Sequence, residues 1–182
     1  MFLRPLTSIA CSVLLTTACF AQMGEMKSEP AKSLPSPAAK ASVQLNGKSV
    51  TIDYNAPSLR GRKMIGGHDP YGKVWRTGAN PATTLKTATN LKIGTLDVPA
   101  GTYTIYSLPN AEKWLLIINK QTGQWGTEYE QKQDLGRTPL TSKTLSSPQE
   151  VMSISFENTS GASSELHIKW DKADEFVNVS AQ

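Results

Sequence analysis

From Ser42 onward, apolar and polar residues alternate along the chain. Val43 and Leu45 lead into Asn46-Gly47, and Val50, Ile52 and Tyr54 follow with polar residues between them. Asn-Gly between two alternating runs predicts a β-hairpin, because both residues tolerate positive φ. The same style predicts strands over 83–88, 91–93, 95–98 and 102–108, with turns at Gly94 and Pro99-Ala100-Gly101. The run 114–119, WLLIIN, is almost continuously apolar and predicts a central strand covered on both faces. Later strands are expected over 151–157, with Met152, Ile154 and Phe156 on one face, over 165–171, with Leu166, Ile168 and Trp170 on one face, and over 176–179. No segment sustains a helical period, and 127–135 offers one helical turn at most. Many short strands separated by turn signals predict a single all-β domain over 42–182, a β-sandwich of jelly-roll-like kind.

Ahead of this domain the pattern changes. Arg4, the apolar run 9–15 and the sequence Thr16-Thr17-Ala18-Cys19-Phe20-Ala21 form the n-region, h-region and small-residue end of a secretory signal over 1–21. The protein is therefore expected to be exported, to a periplasmic or extracellular setting. Two processing routes fit: cleavage after Ala21, or a lipoprotein that keeps a lipidated Cys19 and is tethered to a membrane. Residues 22–41, with Pro30, Pro35 and Pro37 among Ala, Ser and Lys, have almost nothing large and apolar to bury. They read as a disordered linker reaching on the order of 25 Å.

Cysteine usage narrows the chemistry. Cys11 and Cys19 both lie in the signal segment, so cleavage after Ala21 leaves a domain held by its core alone, with no thiol nucleophile and no thiolate metal site. The formal net charge is +4, but Lys48, Lys63, Lys73, Lys86 and Lys92 are scattered. Nucleic acid is therefore not an expected partner, and membrane contact is expected only through a lipid on Cys19.

His68 and His167 are the two histidines. Neither has a partner at ligand spacing, so neither a metal nor a cofactor is expected. His167, between Leu166 and Ile168 on a strand, is predicted to face solvent. No GxSxG elbow occurs, and Asp53, Asp69, Asp97 and Glu128 are carboxylates without a pattern that pairs them across a cleft. No catalytic residue is singled out.

The informative stretch is 59–80, LRGRKMIGGHDPYGKVWRTGAN. Arg60, Arg62 and Arg76 stand among glycines that let the backbone turn and approach other groups. Arginine captures carboxylate or phosphate in bidentate fashion, and Trp75 offers a flat face for stacking. One reading is a ligand pocket for a small anion or saccharide built from Arg62, His68, Trp75, Arg76 and Asn80, with Tyr103 or Trp125 as further aromatic candidates. The other is a locked corner, with the arginines paired to an internal carboxylate such as Asp53, Trp75 in the core and Asn80 capping its turn. A hydrolase-like site using His68 and Asp69, or an envelope domain with no site, are the alternatives.

The order VTIDYNAPSLRGRKMIGG, YGKVWRTGAN, TLDVPAGTYTIYSLPNAEKWLLIINK resembles the bacterial family called domain of unknown function 2911, over about Ser42 to Ser180. That resemblance implies an exported all-β domain and no activity. In that family an acidic residue often follows the Asn of GAN. Here Pro81 holds the place, so chemistry resting on an acid there is missing from this chain.

Overall fold

The computed structural model describes residues 36–182; the predicted signal 1–21, the Cys19 route and linker residues 22–35 lie outside the described residues. Strand β1 (Ala38–Leu45) pairs along its whole length with β2 (Lys48–Asn55). The chain turns between them at Asn46 (φ 49°) and Gly47 (φ 72°), as a two-residue hairpin loop requires. The domain's first strand thus starts inside the stretch predicted as linker. Composition hides this because Ala38, Ala39 and Ala41 carry little apolar area; the ladder to β2 pairs the backbone groups that face it and holds this edge strand in place. Lys40 stands opposite Asp53 in register and pairs with it at 3.2 Å.

The remaining elements follow in order: β3 (Thr83–Thr87), β4 (Leu91–Ile93), β5 (Leu96–Val98), β6 (Gly101–Leu108), β7 (Leu115–Asn119), a 3₁₀ turn at Gln131–Gln133, β8 (Asp134–Pro139), β9 (Thr141–Ser160) and β10 (Ser163–Ala181). A six-stranded sheet, β1-β2-β3-β6-β7-β8, packs on a four-stranded sheet, β5-β4-β10-β9, and every neighbouring pair is antiparallel. This is an all-β sandwich. Val50, Ile52, Leu85, Ile105, Leu116 and Ile118 from the first sheet meet Leu91, Ile93, Met152, Ile154, Leu166 and Ile168 from the second in one buried cluster. Tyr54 ties the layers further: its hydroxyl accepts the Ile154 N–H at 3.1 Å. Strand β7 lies inside its sheet between β6 and the edge strand β8, and Leu116, Ile117 and Ile118 are fully buried on alternating faces.

Two features depart from the sequence pattern. Residues 165–171 and 176–179 belong to one long strand, β10, bent where Asp171 takes φ 53° between register shifts on either side of it. His167 does not face solvent: it is 2% exposed. The bend brings Asp174 back to it, with Nδ1 2.7 Å from Asp174 Oδ1, although seven straight residues would span about 23 Å. Nε2 lies 3.2 Å from Glu165 Oε2, and the ring stacks on Phe176 at 4.9 Å. A polar residue alternating with apolar ones does point away from the sandwich core, but the bent strand then covers it.

Candidate functional site

The connection between β2 and β3, residues 56–82, is long and irregular, a length that in a compact domain usually serves function. It is stitched to the sandwich along its course. Leu59 N–H donates to Glu150 O at 2.9 Å, Trp75 exchanges both backbone bonds with Ser107 at 2.8 Å, and Gly126 N–H donates to Asn80 O at 3.1 Å. These anchors hold the loop over one end of the sandwich as a built wall.

A cavity of about 240 Å³ opens along this wall, and Arg62, His68, Trp75, Arg76 and Asn80 all line it, with Asp69 and Trp170 beside them. Residues spread over 59–80 meet there because the 63–69 segment turns back on itself, His68 N–H donating to Lys63 O and Asp69 N–H to Met64 O at 3.1 and 2.8 Å. Tyr103, whose hydroxyl donates to Pro99 O at 3.0 Å, does not line the cavity, nor does Trp125, which is 44% exposed and bridged to Pro81.

Each lining side chain is differently placed. Trp75 is 5% exposed; it stacks on Trp170 at 5.6 Å and 13°, and meets Trp114 edge-on at 6.1 Å. One of its faces is therefore already covered, so the ring serves as wall more than as an open stacking platform. Arg62 folds onto its own turn, Nε donating to Leu59 O and Nη2 to Ser58 O, each at 3.0 Å. Asn80, in the left-handed region at φ 60°, donates from Nδ2 to Ser36 O at 3.3 Å. His68 Nδ1 and Asp69 Oδ1 stand 3.7 Å apart, outside hydrogen-bond reach, with the histidine side chain 64% exposed.

Arg76 differs from all of these. Among the described residues its guanidinium has no hydrogen bond and no carboxylate within ion-pair distance. Asp53, the carboxylate that a locked corner would use, is taken by Lys40 and by Lys86 at 3.0 Å, and the hydrogen bond from Lys86 holds its carboxyl below the usual range. What fixes Arg76 is its stem. A Cβ at Gly126 would collide with Arg76 Cδ and stand 2.8 Å from Asn80 O, so the stem lies directly against the glycine backbone. The next residue, Thr77, is β-branched yet sits at φ 50°, a strain of about 1–3 kcal/mol. It is fully buried, and hydrogen bonds with Ser107 Oγ at 2.8 Å and from Thr83 Oγ1 at 2.9 Å hold it there.

The family model described as Protein of unknown function (DUF2911) matches residues 36–179. The chain belongs to this family. Comparison with curated proteins and with solved structures gave no match. The match starts at Ser36, next to the strand that begins at Ala38, so the DUF2911 segment coincides with the described sandwich. Trp170 and Gly126 are the site components that sequence reasoning passed over. Trp170 carried only a strand-alternation signal pointing to the core, and Gly126 carried none, since a close approach between distant segments leaves no local trace.

Proposed function

We propose that this DUF2911 domain binds a small anion, a carboxylate or phosphate, at Arg76, and that it does so as an exported envelope protein. The observation that carries the reading is Arg76, which lines the cavity with its stem against Gly126 and whose guanidinium has no hydrogen bond among the described residues. A guanidinium that met an internal carboxylate would be a structural lock; one without a partner offers two parallel N–H groups to an incoming oxyanion. Arg62 and His68 add positive or donor character around it, while Asp69 is the acidic residue lining the cavity. A neutral saccharide gains less here, because the Trp75 face it would stack on is already covered. The hydrolase alternative gains no support from His68 and Asp69, which do not orient each other.

The test is calorimetric titration of the domain with inorganic phosphate and with acetate. Arg76→Ala is expected to weaken binding at least tenfold, a loss of about 1.4 kcal/mol, with the melting temperature moved by no more than about 2 °C. Arg76→Lys should retain part of the affinity as a point charge. Unchanged affinity in Arg76→Ala would overturn the reading.

A further inference from the structure

The cavity does not end at Arg76. A second hollow of about 160 Å³ shares Asp69, Trp75 and Arg76 with the first and is lined further by Thr127, Tyr106 and Tyr129. Arg76 thus lines both hollows. The walls of this second hollow have a defined chemistry. The Tyr106 hydroxyl donates to Glu128 O at 3.0 Å and accepts from Gln124 Nε2 at 3.1 Å. The Tyr129 hydroxyl donates to Asp134 Oδ2 at 2.8 Å and accepts from Arg137 Nη2 at 2.7 Å. Both phenols are committed, so these residues have mainly ring carbon left to offer a guest. The two rings brace each other edge to face at 5.0 Å.

Beside Arg76, the residues lining this hollow leave the Thr127 hydroxyl and the Trp75 indole N–H, neither with a hydrogen bond among the described residues, and the Asp69 carboxylate. Asp69 accepts hydrogen bonds and donates none when ionised. A guest must therefore bring hydroxyl donors for Asp69, C–H surface for the tyrosine rings and a negative charge for Arg76. An inorganic anion supplies the last alone and leaves the second hollow to water. An aromatic acid supplies charge and ring, but would take water from Asp69 and return no donor, which costs more than it gains. A neutral sugar leaves Arg76 without its counter-charge.

We propose that the site is two-lobed and takes an acidic monosaccharide, either a sugar phosphate or a uronic acid, with the anion on Arg76 and the hydroxylated ring between Asp69 and the Tyr106–Tyr129 wall. This rests on the Arg76 anion reading and extends it from a charge to a substrate class.

The experiment titrates the domain with inorganic phosphate, acetate, glucose, glucose 6-phosphate and glucuronate. At least one of the two acidic sugars is expected to bind ten times tighter or more than its bare anion, with glucose giving no measurable heat; which of them does so tells phosphate from carboxylate. Thr127→Trp, at an exposed position, should fill the second hollow and bring the acidic sugar down to the affinity of the bare anion, leaving the bare anion unaffected. Asp69→Asn should weaken the acidic sugar about fivefold and leave phosphate equal or tighter. Acidic sugars that bind no better than phosphate and acetate overturn the two-lobed site while the anion site stands. Failure of every anion, sugar-borne or not, overturns both.

Discussion

A buried imidazole with a carboxylate oxygen at each nitrogen is a demanding residue to place in a sheet. His167 meets Asp174 at 2.7 Å and Glu165 at 3.2 Å, and Lys169 reaches Glu157 at 2.6 Å beside it. Removing the ring would leave Asp174, itself buried, with its nearest cation at 4.0 Å on Lys169. His167→Ala is therefore expected to cost about 3 kcal/mol in urea unfolding, far above a surface change. Glu175 poses the opposite case. It is buried with the Ser142 hydroxyl 2.6 Å away, and burial pushes its carboxyl above the usual range. A raised folded value means that its contribution is fully present below the unfolded value and is lost as pH rises through the folded one. Glu175→Gln keeps an acceptor for Ser142 and removes that loss, so its stability relative to the parent should grow with pH from 4 to 8. A difference that stays flat across that range would refute the assignment.

At the scale of elements, the bend in β10 does more than any strand pairing to shape the second sheet's outer face. Asp171 supplies it, in a backbone region where a β-branched side chain costs about 1–2 kcal/mol. Asp171→Gly should leave stability unchanged or raise it, and Asp171→Val should lower it by about that amount, read by thermal unfolding. Strand alternation revealed the two halves of β10 separately, since each half obeys period two. It could not reveal their continuity, because the register shifts around Asp171 change which side chains face inward. Strand β8 escaped notice for a related reason: DLGRTP has a glycine and a proline, and it is a strand because β7 offers an edge to pair with. The turn at Asn46-Gly47 was legible, as its signal is local, whereas the first residues of β1 read as linker.

For the whole molecule, acid is the expected weak side. Lys86 holds Asp53, and Lys169 holds Glu157, below the ordinary carboxylate range. Their contributions are present above the unfolded values and are lost as pH falls through the folded ones, so the melting temperature should drop as pH falls below 4. A melting temperature that rose on acidification would contradict this. The exported reading has its own check: mass spectrometry of the mature chain should find Gln22 at its start, or a lipid on Cys19, and an intact Met1 would oppose both.

The candidate site divides along the same line. Arg62, His68, Trp75, Arg76 and Asn80 were readable as a group because they crowd one glycine-rich stretch, and one cavity receives them all. Which of them is free to act was not readable. Arg62 turned to its own carbonyls, Trp75 went under Trp170, and the Arg76 guanidinium has no hydrogen bond and no ion pair among the described residues. The order of residues by itself determined the all-β class, the Asn46-Gly47 turn and the crowding of arginines, Trp75 and Asn80 into one glycine-rich stretch, since periodicity and turn chemistry act between neighbours. Tertiary structure decided that β10 folds back over His167, that Gly126 seats Arg76 and that two hollows meet there, because close packing joins segments whose contact no local pattern encodes.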